Sequence, residues 1–184
     1  MDKAPSFGVI GGGSWATAIV KMLCENLDNV NWYMRSVYAV EHIKKQDHNP
    51  NYLSSVEFNN DQLTLSNDIN EVVEASEFII FAIPSAFLKR ELDALTIPLH
   101  DKVVFSAIKG IVPETSLIVG EHFNQYFDVP MECIGVLTGP CHAEEVALER
   151  LSYLTVACQD EQKAQLVAGY LGSDYITCKT TDDV

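Results

Sequence analysis

At 184 residues, 47% apolar and 21% charged, the chain has the size and balance of one globular domain with a substantial core. Its net charge of −14, from 26 acidic against 12 basic side chains, argues against nucleic acid or an anionic membrane as partner. An anionic ligand has to be held by a few local cations, not by the overall field.

The opening Met1-Asp2-Lys3-Ala4-Pro5 leads into the first strand with no leader pattern, and no apolar run is long enough to span a bilayer. Five widely spaced cysteines (Cys24, Cys133, Cys141, Cys158, Cys178) read as reduced thiols without metal-ligand spacing, so the expected location is cytoplasmic. Phe7–Ile10 predicts a buried strand and Ala16–Leu23 an amphipathic helix. Between them stands Gly11-Gly12-Gly13-Ser14-Trp15-Ala16. A strand, a glycine turn and a helix start in that order suit a dinucleotide pyrophosphate. Gly11 permits the tight turn, Gly13 admits phosphate to bare backbone, and Ala16 lets the helix pack closely on the strand. The amides of the first helical turn then face the anion, aided by the helix dipole. A merely flexible surface turn would not explain the strand and helix on either side.

Val30–Met34 predicts the second strand. An NAD-selective site places a carboxylate at its end, about 20 residues beyond the glycine motif. Arg35 and Ser36 stand there instead. A guanidinium attracts a 2′-phosphate that a carboxylate would repel, so the expected cofactor is NADP(H), with NAD(H) still admitted. The competing reading of Arg35 is a solvated strand end. The stretch from Asp47 to Asn67 is polar and turn-rich, and reads as an excursion beyond the basic Rossmann plan.

Further helices are expected over Ile69–Ala75, Ala86–Leu95, Thr115–Phe127, Ala143–Glu149 and Glu161–Leu171. Strands are expected over Phe78–Ile83, Val103–Ser106, Cys133–Leu137, Tyr153–Cys158 and Tyr175–Cys178. Near-continuous apolar strands alternating with helices define the class: α/β, Rossmann-like and doubly wound, with a mostly parallel sheet and residues 1–184 forming one dinucleotide-binding domain. Ligands in such sheets bind beyond the carboxyl ends of the strands. Pro84 and Phe87 follow the third strand, with Phe87 placed to pack on a cofactor. Lys109-Gly110 follows the fourth; Lys109 either polarises a substrate oxygen or is an exposed surface lysine. Thr138-Gly139-Pro140-Cys141-His142 follows the fifth as a sharp turn, with Glu144 and Glu145 in the first turn of the next helix. His142 reads as a helix N-terminal residue without catalytic duty, since no carboxylate orients it. Cys141 has no committed base and does not read as a nucleophile. Trp32, Tyr33 and Phe81 read as core.

Together these pieces resemble the N-terminal domain of NAD(P)-dependent glycerol-3-phosphate dehydrogenase of the bacterial type. The resemblance covers essentially the whole chain. It rests on Val9 through Ala18, Trp32 to Arg35, Asn49-Pro50-Asn51-Tyr52-Leu53, Pro84-Ser85, Lys109-Gly110 and Gly139-Pro140 through Val146. It implies reduction of dihydroxyacetone phosphate to sn-glycerol 3-phosphate with NAD(P)H, supplying glycerophospholipid precursors. It implies cofactor contacts at Ser14, Trp15, Arg35 and Ala143, with Glu145 added to that set, and Lys109 where cofactor and substrate meet. Gly139 and Cys141 fall at positions that contact the phosphorylated triose or glycerol. Ala16 departs from the third motif glycine, Ser54-Ser55 from a usual Pro-Gly, and Cys141-His142 from a Ser/Thr followed by an aromatic residue. A thiol is a weaker hydrogen-bond partner than a hydroxyl. The family's proton-transfer lysine and most of its substrate-phosphate ligands belong to a helical C-terminal domain expected beyond Val184, so a partial chain is expected that binds cofactor weakly and does not turn over. No catalytic residue is assigned with certainty within these 184 positions, and no metal is expected. Two rivals stay open: another NADP-dependent two-domain hydroxy-acid dehydrogenase, and a non-catalytic NADP(H) sensor. The oligomeric state is also open, a homodimer of the full-length form included.

Overall fold

The computed structural model describes residues 4–184; Met1, Asp2 and Lys3, read above as free of a leader, lie outside them. One eight-stranded sheet runs through the molecule in the order β3-β2-β1-β4-β5-β6-β7-β8. The strands are β1 (Phe7–Ile10), β2 (Val30–Tyr33), β3 (Leu63–Ser66), β4 (Phe78–Phe81), β5 (Val103–Ser106), β6 (Ile134–Thr138), β7 (Ser152–Cys158) and β8 (Ile176–Thr181). The first six are parallel to one another, which is the expected doubly wound plan. β7 pairs antiparallel to β6, with Thr138 opposite Thr155, and β8 runs parallel to β7. β1, β2 and β4 are buried along their whole length, as strands covered on both faces must be.

The helices are α1 (Ser14–Cys24), α2 (Val37–Gln46), α3 (Ile69–Glu74), α4 (Ser85–Asp93), α5 (Val119–Phe127), α6 (Ala143–Ala147) and α7 (Glu161–Leu171). Two apolar cores sandwich the sheet. One gathers side chains of α1, α2, α6 and α7 against Phe7, Val9, Trp32 and Phe105; the other gathers α3, α4 and α5 against Ile10, Phe81 and Ile134. Lys21 near the end of α1 ties that helix to the segments leading into β7 and β8, reaching Glu149 at 3.0 Å and the Tyr175 hydroxyl at 2.8 Å.

Three local readings are corrected. The stretch from Asp47 to Asn67 is only partly an excursion: its last residues form β3, the sheet edge beside β2, with Val30 opposite Leu63. Helix α2 was not anticipated, because the apolar residues of Val37–Gln46 are split between a short buried stripe (Ala39, Val40, Ile43) and exposed Val37 and Tyr38. Helix α5 starts at Val119 rather than Thr115, since Val112–Leu117 closes on itself with Ser116 at φ 57°. A left-handed residue there cannot continue a right-handed helix.

On α5, His122 is buried, stacks on Tyr126 at 4.9 Å and lies 3.3 Å from the Thr115 hydroxyl. Burial lowers its pKa, with Glu114 opposing the shift. The unfolded chain, at about 6.5, therefore takes the proton first as pH falls, and stability declines from about pH 7.5 downward until the folded imidazole is protonated as well. Urea unfolding across this range should show that decline in the wild type and a flatter profile in His122→Phe; superimposable profiles would contradict it.

Candidate functional site

The reversal of strand order between β1 and β4 opens a crevice at their carboxyl ends. Gly11, at φ 142°, lies flat across it: a Cβ there would come within 2.3 Å of the Ala82 carbonyl oxygen. Only glycine lets the two strand ends approach so closely.

The carbonyls of the glycine turn are all turned inward. The Trp32 indole donates to the Gly11 oxygen at 2.6 Å. The Asn49 side-chain amide donates to the Gly12 oxygen at 3.1 Å, and the Thr17 hydroxyl donates to the Gly13 oxygen at 2.9 Å. Asn49 also donates to the Thr17 hydroxyl oxygen at 2.9 Å. Trp32, Asn49 and Thr17 are fully buried. With the acceptors engaged behind the turn, the amides at the start of α1 are what the crevice sees. No side chain caps that helix, whereas Ser36, Asp68 and Asp160 cap α2, α3 and α7. Its first N–H groups have no intrahelical partner. A Cβ on Gly13 would meet nothing within 4 Å. This is a bare, donor-rich concavity suited to a diphosphate.

Two cavities continue from this point. One, of about 300 Å³, runs over Gly11, Gly12 and Gly13 to Arg35, Ser36, Phe87 and Arg90. The other, of about 440 Å³, runs from Gly13, Ser14 and Trp15 to Lys109, Gly139, Cys141 and Ala143. Tyr52 and Pro84 border both. Of the residues singled out from sequence, Gly11, Gly13, Arg35, Pro84 and Phe87 thus meet on the first wall, and Ser14, Trp15, Lys109, Gly139, Cys141 and Ala143 on the second. Ala16 is buried in the helix packing, and Glu145 lies outside both walls while its neighbour Glu144 lines the larger cavity. His142 is the N-cap residue of α6 and makes no side-chain cap bond.

Gly139, at φ 138°, presses on β7: a Cβ would approach the Tyr153 carbonyl oxygen to 2.6 Å. That contact sets where the Cys141 turn meets the cavity. Burial pushes the Cys141 thiol up, with Lys109 pulling it down and Glu145 adding to the rise. The sulfur is therefore a neutral, weak donor near neutral pH. Lys109 itself is exposed and forms no ion pair among the described residues.

Sequence reasoning assigned no role to Asn49, Tyr52, Arg90 or Glu91. The first two sit in the Asn49-Pro50-Asn51-Tyr52-Leu53 string, whose turn is made by the Asn49 side-chain oxygen accepting from the Asn51 and Tyr52 amides. An asparagine that opens such a turn was the available signal.

The fold and the bare glycine turn define a dinucleotide-binding domain of the Rossmann type. Residues 6–164 match the family model described as NAD-dependent glycerol-3-phosphate dehydrogenase N-terminus, and the chain belongs to that family. It is 30% identical over 188 aligned positions to the glycerol-3-phosphate dehydrogenase [NAD(P)+] of Limosilactobacillus reuteri, covering 98% of this chain and 55% of that protein. It is 34% identical to the enzyme of the same name from Pseudomonas syringae pv. syringae, covering 93% of this chain and 49% of that protein. The chain thus spans about half the length of these curated relatives. Its fold is similar to glycerol-3-phosphate dehydrogenase of Plasmodium falciparum, with a TM-score of 0.86 at 19% identity over 98% of this chain and 53% of that one. No helix among the described residues is long and apolar enough to cross a membrane.

Two outcomes are expected from the geometry. Asn49→Ala leaves the Gly12 carbonyl without its donor, and should cost about 1–3 kcal/mol in chemical unfolding. Iodoacetamide should label Cys141 slowly at pH 7, with the rate climbing only as the pH passes above the usual thiol range; fast labelling at neutral pH would contradict its raised pKa.

Proposed function

We propose that this chain is the cofactor-binding part of an oxidoreductase that interconverts dihydroxyacetone phosphate and sn-glycerol 3-phosphate, with NADP(H) preferred over NAD(H). The observation that carries the reading is the glycine turn with all three carbonyls held inward and the uncapped start of α1 facing the crevice. Membership of the family, and curated relatives named for NAD(P)+, support it.

Gly13, Ser14, Trp15 and Ala143 would hold the diphosphate and the nicotinamide half of the cofactor; Arg35, Pro84 and Phe87 would hold the adenosine end. A bound nicotinamide dinucleotide supplies hydride for reduction of a ketone. The chain's own contributions are binding, orientation and charge. Lys109 brings an unpaired ammonium to the rim of the larger cavity, where it would bind and polarise a substrate oxygen. Gly139 and Cys141 would position the substrate beside it. Glu145 would act on this cluster through its charge near Cys141 and not through the cavity wall.

Near-attack geometry and a proton source for the developing alkoxide are both needed for turnover. Lys109, His142 and Glu144 line the larger cavity, all exposed and with no hydrogen-bonded acid–base pair among them; in this reading the proton donor and most of the substrate-phosphate site belong to a second, helical domain. A small phosphorylated substrate, no nucleic acid and a homodimer of the longer form complete the proposal.

Calorimetry of the 184-residue chain should detect NADPH binding, with no reduction of dihydroxyacetone phosphate in a coupled absorbance assay. Gly13→Val should weaken NADPH by at least about tenfold, equivalent to about 1.4 kcal/mol, at little change in melting temperature, because the added side chain enters open space. NADPH binding unaffected by Gly13→Val would overturn the site; turnover by the chain alone would overturn the division of labour.

A further inference from the structure

The adenosine-side cavity holds a second guanidinium that the glycine motif and the second strand do not announce. Arg90 on α4 lines it together with Arg35 and Ser36. Its position is fixed from two sides. The guanidinium lies over the Phe87 ring, 4.9 Å from the centroid. Arg90 Nη2 and Nε donate to one Glu91 carboxylate oxygen at 3.0 and 3.3 Å.

Glu91 is the reason Arg90 does not wander. Its side chain is 7% exposed while that of Arg90 is 51% exposed. Its second oxygen accepts the Tyr33 hydroxyl at 2.5 Å. With one oxygen on Tyr33 and the other on Arg90, the carboxylate is occupied and covered. It is poorly placed to accept the ribose hydroxyls, the role a carboxylate plays in an NAD-selective site. Arg90, in contrast, spends two donors on Glu91 and keeps further N–H groups for the cavity. Tyr33 ends β2 two positions before Arg35, and its side chain lines the same cavity as Arg35 and Arg90. Burial and Glu91 push that phenol up, and Arg35 and Arg90 both oppose the shift, as cations close to it must.

We propose that Arg90, held by Glu91 and Phe87, is a second specificity residue that clamps the 2′-phosphate of NADP(H) together with Arg35. The inference rests on the dinucleotide reading of the site. Two guanidinia can divide the oxygens of one phosphate monoester, and pre-positioning one of them reduces the ordering cost of binding. Arg35 alone is an exposed side chain on a strand end. Arg90 supplies the fixed half of the clamp.

The test uses the 184-residue chain and calorimetric titration with NADPH, NADH and adenosine 2′,5′-bisphosphate. In Arg90→Leu, affinity for NADPH and for the bisphosphate should fall roughly 10- to 100-fold, the loss expected for a charge-assisted contact, while NADH changes less than about twofold. Arg90→Lys keeps a cation beside buried Glu91 and should recover part of the loss; if Arg90→Leu does not fold, a selective NADPH loss in Arg90→Lys decides the matter in favour. An equal loss for NADPH and NADH, or no loss for either, overturns the role of Arg90 while leaving the dinucleotide site standing. Wild-type chain that binds neither dinucleotide overturns the site itself, and is distinguished before any variant is made.

Discussion

Inward anchoring of the glycine-turn carbonyls is the constraint on which the rest of the site depends. A tight turn of three glycines has many conformations available. Trp32, Asn49 and Thr17 reduce them to one by taking the three oxygens from behind. Each donor is buried, and losing Trp32 or Asn49 strands a carbonyl, whereas the Gly13 oxygen keeps the Thr17 backbone N–H at 3.0 Å as well as its hydroxyl. The opposite side of the turn is thereby committed to presenting amides. The helix dipole and the uncapped N-terminus of α1 act in the same direction.

The anchors come from separate parts of the chain, and that links the site to the fold. Trp32 belongs to β2 and reports the packing of β2 on β1, where Val9 lies opposite it. Thr17 belongs to α1 and bonds back to the turn it follows. Asn49 arrives from the loop after α2, and its side-chain oxygen organises the residues leading to Tyr52. Tyr52 in turn borders both cavities. The polar stretch after α2 is therefore a brace for the glycine turn as well as the lead-in to β3.

Much of this was legible in the residues. The apolar runs at Phe7–Ile10 and Phe78–Phe81 are buried on both faces, and continuous hydrophobicity is the mark of such strands. The glycine turn was legible because its neighbours on both sides agree with it. β3 was obscured because Leu63–Ser66 is an edge strand of mixed polarity, recruited by pairing with β2 and not by its own pattern. Helix α2 was obscured for a different reason: its buried stripe is narrow, and Val37 and Tyr38 are exposed. Arg90 and Glu91 carry no local signature at all: their meaning arises from Tyr33, distant in sequence, and exists only once α4 packs beside the end of β2.

The most direct test reads the amides themselves. Two-dimensional ¹H–¹⁵N spectra of the labelled chain, titrated with NADPH, should show saturable shifts at Gly13, Ser14, Trp15 and Ala16 that exceed those along the buried remainder of α1. Amides at these four positions that stay in place at saturating NADPH would contradict the account.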